Sequence, residues 1–561
     1  MNSANQKHVM KAKDKLCSMT VAEKVGQLLV IRPNSEDFEG IVAKGMVGGV
    51  YMPSDVSADV IAEIRKIAPI PLIIAQDLES GITCEGPSWP SAMSVSALHS
   101  KEAGYEWAYL QALQARSFGV NAAFGPVFDL GINRYSEHTG IRSIGSDPDW
   151  VATLGCEFVK GYQDAGILPF AKHFPGFGRG LEDPHMELSN LDADSDTIWN
   201  EELLPYREAI SKAGLMGIMS GHVMAPAIDP DVPSTYSAGV LGILDRMEFK
   251  GLVITDSLSM LGILQYDNTE EIYPRAITAG NDMILANIHI DDIKGYECLM
   301  KAVRDGRITT DMLDGKVMKI LTAKYFIEEF NSVPCSGRSP ENCQVPDVGM
   351  LKKNNKLQKV LPDYPAAYAA YNEAQNEKTF IKMSENSMTY YRRDGGDFKP
   401  FLNGQQNMII VASEEALMIK GELSDGRSPA QVLMKSLREQ YPDCRIIKVP
   451  LCPGRGNIYR VLEDSLDCSD VMVIAQTLVG CYTGTDHYQK PLISMIRALK
   501  NKISSFIVWG NPYAALDMPA GLPQYVFVYD RGPWAGALMK LMRGEIYPRG
   551  TMPVKLEWNK E

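Results

Sequence analysis

Residues 166–185 read GILPFAKHFPGFGRGLEDPH, an apolar run that leads directly into a loop rich in charged side chains. The run at 166–171 predicts a short buried strand, and charged groups at the end of such a strand are costly unless they are paired or used. Asp183 and His185 are two residues apart, so the carboxylate can accept the imidazole N–H and raise the basicity of the other ring nitrogen. This pattern predicts an acid/base catalyst, and the alternative is a polar surface loop with a chance Asp-x-His.

Apolar runs of the same kind recur on both sides of this stretch. They are short, rich in Val, Ile, Leu and Met, and not alternating, which is typical of parallel strands buried on both faces. Helical patterns such as 101–117 and 201–213 lie between some of them. Roughly eight β/α units in succession predict a TIM-type (β/α)8 catalytic barrel over residues 1–332. The predicted strands are 27–31, 48–52, 72–75, 121–124, 166–171, 216–220, 252–255 and 283–286.

The C-terminal part of the chain predicts a second, smaller domain. Pro, Ser, Asn and Lys become common after residue 333, which indicates a linker or domain-wrapping segment at 333–380. Apolar runs and helical patterns then alternate again, and they predict a three-layer α/β sandwich over residues 381–561 with a largely parallel sheet. The predicted strands here are 408–412, 444–449, 471–475, 506–509 and 525–529, and the predicted helices include 430–440 and 490–500.

Composition excludes several classes of partner. The chain has 561 residues, 45% hydrophobic and 22% charged, and a net charge of -13, which argues against nucleic acid and against a polybasic membrane patch. The first residues lack the apolar run of a signal peptide, and no stretch reaches the roughly 20 apolar residues of a membrane span. The ten cysteines lack metal-ligand spacing, and Cys335 and Cys343 are the only close pair in a loop-like region. We therefore expect a cytoplasmic protein with free thiols that needs no metal or cofactor.

Polar residues follow several predicted strands, where a TIM barrel carries its active site. Asp256 precedes Ser257 and Ser259, whose hydrogen bonds can stabilise an ionised carboxylate, so it suits a nucleophile at the anomeric carbon of a sugar. His185, paired with Asp183, suits the acid that protonates a departing oxygen and later activates water. The residues suited to holding sugar hydroxyls by charge-assisted hydrogen bonds are Asp77, Arg142, Lys172 and His173.

Two secondary candidates have competing interpretations. His222, after the sixth predicted strand, either lines the pocket or serves as a structural hydrogen-bonding residue. Asp486 and His487 lie on a predicted loop of the second domain and are a fallback acid/base pair, for which the alternative is a solvated loop.

The motifs together resemble glycoside hydrolase family 3, and within it the β-N-acetylglucosaminidase branch. The loop KHFPGFGRGLEDPH is similar to that branch's K-H-F-P-G-H-G, four residues, D-S-H, and TDSLSM is similar to S-D-D-L-S-M. DLESG at Asp77 resembles D-x-E-G-G, and RSIGSDP at Arg142 resembles R-S-F-G-x-D-P. The resemblance covers nearly the whole chain. It implies Asp256 as nucleophile, the Asp183–His185 dyad as acid/base, and Asp77, Arg142, Lys172 and His173 as sugar-binding residues.

Several departures from the pattern bear on activity. In the loop, Phe177 stands for a histidine and Pro184 for a serine. The branch usually follows D-x-E-G-G with arginines, whereas this chain has Ile82 and Glu85 nearby. The resemblance implies a retaining exo-glycosidase for terminal β-linked N-acetylglucosamine, often derived from cell-wall fragments. A phosphorylase is the alternative, because an imidazole does not repel incoming phosphate as a carboxylate would. The third possibility is a glycan-binding protein without turnover.

Overall fold

A computed structural model of the chain describes residues 3–33, 37–52, 58–81, 89–286, 292–332, 373–401, 403–414, 429–477, 486–529 and 534–558. The chain packs as two compact units. The first comprises residues 1–84, 104–130 and 148–372, and the second comprises 85–103, 131–147 and 373–561. Residues 333–372 of the predicted linker, with Cys335 and Cys343, lie outside the described residues.

The first unit contains an eight-stranded parallel sheet in the order β10-β1-β2-β3-β4-β5-β7-β9. A parallel bridge between Ile254 and Met283 joins its two ends, so the sheet closes into a barrel. The predicted TIM-type (β/α)8 barrel is therefore confirmed. Its strands are β1 (Leu29–Ile31), β2 (Gly49–Tyr51), β3 (Ile73–Asp77), β4 (Ala122–Val127), β5 (Leu168–Phe174), β7 (Gly217–Ser220), β9 (Leu252–Thr255) and β10 (Ile284–Leu285). Two short strands, β6 (Ser189–Asn190) and β8 (Val223–Met224), pair with each other outside the barrel.

Three barrel strands extend further than the apolar runs predicted, and one of them, β4, ends at Val127 instead of residue 124. β3 reaches Asp77, and β5 continues through Lys172 and His173, both of which are buried. Polar side chains can remain inside a buried strand when each has a hydrogen-bonding or charged partner. These two residues have such partners, which are described with the site below.

The helices of the first unit alternate with its strands along the chain. Several begin at a side-chain cap; Asn268, for example, accepts hydrogen bonds from the backbone N–H groups of Glu270 and Glu271. Among the residues that the structure describes, no helix has both the length and the apolar composition needed to cross a membrane. The helices are Ser3–Ser18, Val21–Gly26, Phe38–Ala43, Ala58–Ile67, Lys101–Ser117, Pro148–Asp164, Ser195–Thr197, Ile198–Glu202, Leu204–Ala213, Ser234–Tyr236, Ala238–Leu241, Ile243–Arg246, Leu261–Leu264, Thr269–Ala279, Asp292–Arg304 and Thr310–Ser332.

The second unit is built on a six-stranded sheet in the order β11-β16-β15-β14-β12-β13, in which only the β11–β16 pair is antiparallel. Alternate residues of β12 face two separate apolar clusters, with Met408 and Ile410 in one and Ile409 and Val411 in the other. Helices cover both faces, which confirms the predicted three-layer α/β sandwich. The strands are β11 (Thr389–Arg392), β12 (Asn407–Ala412), β13 (Arg445–Val449), β14 (Asp470–Gln476), β15 (Ile503–Trp509) and β16 (Gln524–Val528). The helices are Ala92–Ala97, Gly140–Arg142, Glu373–Ser387, Pro429–Gln440, Arg455–Asp464, Lys490–Leu499, Pro512–Asp517 and Trp534–Met542.

Candidate active site

Asp77 ends β3 with a carboxylate that accepts two hydrogen bonds. Lys172 Nζ lies 2.7 Å from its Oδ1, and the Tyr51 hydroxyl lies 2.6 Å from its Oδ2. Burial, together with the Asp77 charge, raises the pKa of Tyr51 well above its usual value, so the hydroxyl stays protonated and donates. Nζ of the buried Lys172 is also 2.7 Å from Glu79 Oε1. Two carboxylates therefore compensate the desolvation of one ammonium group. The partly exposed Asp77 remains able to accept hydrogen bonds from hydroxyl groups.

His173, the next residue of β5, is fixed by Asp129. Asp129 Oδ2 lies 2.6 Å from His173 Nδ1, and Oδ1 accepts the backbone N–H of His173 at 3.2 Å. The backbone N–H of Phe177 donates to the same Oδ1 at 2.9 Å. A buried carboxylate with these partners sets both the ring tautomer and the path of the following loop. The other ring nitrogen, Nε2, lies 3.8 Å from Asp256 Oδ2.

Asp256 follows β9 and is buried, with one carboxylate oxygen fixed and the other without a hydrogen bond from the described residues. Its Oδ1 accepts the backbone N–H of Ser257 at 2.7 Å, and its Oδ2 accepts none. Burial raises the pKa of Asp256, but the imidazoles of His173, His222 and His185 outweigh that effect and lower it overall. The group is therefore a carboxylate with one oxygen available to an electrophile.

Of the two serines predicted to stabilise Asp256 by hydrogen bonding, Ser257 does so. The bond comes from the backbone of Ser257, and the hydroxyls of Ser257 and Ser259 lie 3.0 Å from each other. A backbone N–H immediately after the carboxylate is fixed by chain geometry, whereas a hydroxyl can rotate to another acceptor.

The Asp183–His185 pair has the geometry that its spacing predicts. Asp183 Oδ1 lies 2.6 Å from His185 Nδ1 and also accepts the backbone N–H of His185 at 3.1 Å. Asp183 is buried, while the side chain of His185 is 22% exposed. Nδ1–H donates to the carboxylate, so Nε2 is the nitrogen left for proton transfer. The backbone N–H of Leu261, five residues after Asp256, donates to the carbonyl oxygen of His185 at 3.1 Å, so the dyad lies beside the chain segment that follows Asp256.

His222 is buried with both ring nitrogens engaged. Nδ1 lies 2.7 Å from the Thr235 hydroxyl, and Nε2 lies 2.9 Å from the carbonyl oxygen of Ser257. Burial lowers the pKa of His222, which favours the neutral ring. Of the two interpretations from the sequence, this arrangement favours structural hydrogen bonding over direct contact with substrate.

Arg142 and His487 lie in the second unit. The Arg142 guanidinium is 3.0 Å from Nε2 of His138 and donates to that residue's carbonyl oxygen at 3.1 Å. His487 Nδ1 lies 2.7 Å from Asp517 Oδ2, and Asp517 Oδ1 accepts a hydrogen bond from Arg134 at 2.6 Å. The roles assigned to Arg142 and to the fallback pair Asp486 and His487 stay predictions.

Three polar residues of the barrel site were missed from the sequence. Asp129 follows the apolar residues after the fourth predicted strand, Tyr51 is the last residue of the observed β2, and Glu79 is part of DLESG. Their positions at strand ends were an available signal. Their partners were not available, because Asp129 and His173 are 44 residues apart and meet only in the folded barrel.

Comparison with known proteins assigns the family. The model of the N-terminal domain of glycosyl hydrolase family 3 matches residues 20–323, which is more than half of the chain. The chain belongs to glycosyl hydrolase family 3. A Cellulomonas fimi protein named β-N-acetylglucosaminidase/β-glucosidase is 34% identical over 331 residues, 55% of this chain and 58% of that protein. The chain thus spans less than two thirds of that relative. The β-hexosaminidase LpqI of Mycobacterium tuberculosis is 29% identical over 320 residues, 54% of this chain and 82% of that protein.

Two solved structures have the same fold over nearly the whole chain. A glycoside hydrolase family 3 β-N-acetylglucosaminidase from Paenibacillus sp. str. FPU-7 has a TM-score of 0.77 at 24% identity, and the match covers 97% of this chain and 100% of that one. A β-glucoside phosphorylase, BglX, has a TM-score of 0.78 at 21% identity over 99% and 96% of the two chains. At these identities the likeness shows the fold alone.

Two departures from the family 3 loop motif lie in described structure. The ring of Phe177 packs edge-on against His173, with ring centroids 5.3 Å apart and planes at 71°. An apolar contact thus replaces the polar one that a histidine would offer at this position. Pro184 immediately precedes His185, and its carbonyl oxygen accepts the backbone N–H of Gly262 at 3.3 Å. Ile82 and Glu85 lie outside the described residues.

Proposed function

We propose that the protein is a retaining exo-glycosidase that releases terminal β-linked N-acetylglucosamine. The observation that carries the proposal is a buried carboxylate, Asp256, with one oxygen that accepts no hydrogen bond from the described residues, and the chain segment that follows it contacts a loop whose imidazole is backed by its own carboxylate. Retaining hydrolysis requires a nucleophile and a separate proton donor. The names of the relatives support N-acetylglucosamine as the sugar, and the resemblance of the motifs favours cell-wall fragments as its source.

In the first step, Asp256 Oδ2 attacks the anomeric carbon and the bond to the leaving oxygen breaks. His185, protonated on both nitrogens, gives its Nε2 proton to that oxygen while Asp183 holds Nδ1–H. The nucleophile needs to be ionised, and the lowered pKa of Asp256 supplies that form near neutral pH. The sugar stays attached to the protein as an ester of Asp256.

In the second step, the neutral His185 Nε2 removes a proton from water, and the resulting oxygen attacks the anomeric carbon. Asp256 leaves as a carboxylate, and two inversions restore the original configuration. Asp77, Lys172 and His173 hold sugar hydroxyls in both steps. Their side chains are fixed by Tyr51, Glu79 and Asp129, so little ordering remains to be done when substrate binds.

The test is turnover of 2,4-dinitrophenyl β-N-acetylglucosaminide with NMR analysis of the first-formed anomer. We expect a β-anomer product, and we expect His185→Ala to accumulate a sugar adduct that mass spectrometry locates on Asp256. Asp256→Ala should lose about a thousand-fold or more in kcat. An α-anomer product, or near-normal turnover by Asp256→Ala, would refute the proposal.

The same assay separates the alternatives. Formation of sugar 1-phosphate only when phosphate is added would identify a phosphorylase, which the His185 acid/base also permits because an imidazole does not repel an incoming phosphate. Saturable sugar binding without any product would identify a glycan-binding protein. Parallel assays with the aryl β-glucoside and β-xyloside test the sugar: a preference for either over the N-acetylglucosaminide would contradict the branch assignment.

A further inference from the structure

The loop that carries His185 rests on the helix that follows the proposed nucleophile. The backbone N–H of Leu261 donates to the carbonyl oxygen of His185 at 3.1 Å, and that of Gly262 donates to the carbonyl oxygen of Pro184 at 3.3 Å. Gln265 Nε2 donates to the carbonyl oxygen of Met186 at 3.2 Å. Three consecutive residues of the loop are therefore bonded to one short helix and the residue that follows it.

The backbone N–H groups at the start of this helix need these carbonyl oxygens as acceptors. The helix spans Leu261–Leu264, and its preceding residue, Met260, gives no side-chain cap. The first N–H groups of a helix lack partners within the helix and take them from caps, water or neighbouring chain. Here the loop carbonyls are the partners, so the acid/base loop and the helix start satisfy each other.

Gly262 permits this contact by having no side chain. A Cβ atom at this position would lie 2.8 Å from the carbonyl oxygen of Pro184, and 2.9 and 3.0 Å from the carbonyl carbon and oxygen of Glu187. All three nearest atoms are backbone atoms of the His185 loop. Gly262 lies in a helix and not in the left-handed region, so contact rather than backbone conformation requires the glycine.

We propose that Gly262 is a positioning residue for the acid/base group. Because Gly262 has no side chain, the loop packs directly against its backbone, and this contact sets the distance from His185 to the leaving oxygen above Asp256. This inference rests on the proposed function and names a further residue for the same reaction. Asp256 and Gly262 belong to one short strand-to-helix connection, so a displaced loop moves His185 relative to the nucleophile. A misplacement of about 1 Å in a reacting group can cost about 100-fold in rate.

The test compares leaving groups in Gly262→Ala. A 2,4-dinitrophenolate leaves without protonation, whereas 4-methylumbelliferone and simple alcohols need increasing help from the acid. We expect kcat/KM of the variant to fall by about 10- to 100-fold for the methylumbelliferyl glycoside and by less than about 3-fold for the dinitrophenyl glycoside. The matched control is Gly315→Ala, a helical glycine whose added Cβ would meet no described atom within 4 Å apart from its chain neighbours and the backbone of its own helix, and this variant should leave both rates unchanged.

A second variant keeps the inference testable if Gly262→Ala does not fold. Gln265→Met removes one donor to the loop and keeps the side-chain length, so we expect a loss of about 3- to 10-fold for the poorer leaving group only. Its control is Gln163→Met, because Gln163 donates a comparable 2.9 Å bond to the carbonyl oxygen of Ala213 between other helices of the same unit. Competitive inhibition by N-acetylglucosamine should not change in either variant.

The outcomes distinguish this inference from the proposed function. Equal losses of kcat/KM for both leaving groups would mean a purely structural role. Unchanged rates would mean that the contact between this helix and the loop does not position His185. Either result overturns the inference. Failure of the proposed function would instead be visible in the wild-type protein, as absent turnover or as full activity of Asp256→Ala.

Discussion

Replacing Glu202 with glutamine should stabilise the protein, and the gain should increase as the pH rises. Glu202 ends the helix Ile198–Glu202, is almost completely buried, and lies beneath the loop after β5. Its Oε1 is 3.2 Å from Nε of Arg179, and a Cβ on Gly176 would lie 2.7 Å from its Oε2. Burial raises the pKa of Glu202 from 4.5 to about 8, although Arg179 acts in the opposite direction.

The sign follows from proton binding. Because the folded-state pKa lies above the unfolded value, folding favours the protonated acid, and this contribution is complete below pH 4.5 and lost as the pH rises through about 8. The full change in pKa corresponds to about 5 kcal/mol. Relaxation of the folded protein and entry of water around the ionised carboxylate lower the cost of its charge, so we expect the stability advantage of Glu202→Gln to grow by about 2 to 4 kcal/mol between pH 5 and pH 9.

Urea unfolding of both proteins at several pH values measures this difference. Glu201→Gln is the matched control, because Glu201 is adjacent, pairs with the same Arg179, and is 42% exposed. Its effect should stay within about 0.5 kcal/mol at every pH, as for other exposed ion pairs. A constant difference between Glu202→Gln and wild type from pH 5 to pH 9 would refute the reasoning, since a charge-independent packing change has no pH dependence.

Three further predictions concern the site and the core. Asp129→Asn should lower kcat/KM by about 10- to 100-fold, because it weakens the charge-assisted bond to His173, and steady-state kinetics with a control for folding by circular dichroism checks this. Tyr51→Phe removes a donor to Asp77 and should raise KM by about 5-fold with little change in kcat; an unchanged KM would exclude Asp77 from sugar binding or Tyr51 from orienting it. Lys324 is buried, and burial lowers its pKa from 10.5 to about 7, so wild-type stability is lost as the pH falls from 10.5 towards 7. Lys324→Met should therefore be more stable than wild type by about 2 to 4 kcal/mol at pH 7, and urea unfolding at pH 10 should show that most of this gain has vanished.

The sequence predicted the barrel well because parallel strands that are buried on both faces appear in the sequence as short apolar runs. It predicted the Asp183–His185 contact for a similar reason, since two residues of separation almost fix the geometry. The sequence did not predict which side chains pair across the barrel. The bond of Lys172 to Asp77 joins strands 95 residues apart, and no local pattern encodes which carboxylate an internal lysine meets.

The strand ends were underestimated for a physical reason. A hydrophobic run ends, by definition, at the first charged residue, yet β5 continues through Lys172 and His173 to Phe174. Paired charges can be buried, so the catalytic edge of a barrel is where apolar periodicity is least informative. The sequence indicated that Ser257 would stabilise Asp256, but it could not indicate that the donor is the backbone N–H, because every residue except proline has that group.

Residues 85–103 and 131–147 belong to the second unit although they lie in the N-terminal half of the sequence, and this has a practical consequence. Within that unit, the Tyr513 hydroxyl donates to the carbonyl oxygen of Gly131 at 2.7 Å, and the Ser91 hydroxyl donates to that of Tyr529 at 2.7 Å. Cutting the chain after residue 332 would leave these loops without the partners that order them. The barrel of this protein is consequently a poor candidate for a stand-alone fragment, and exchanging its C-terminal part with that of a relative would require transplanting residues 85–103 and 131–147 at the same time.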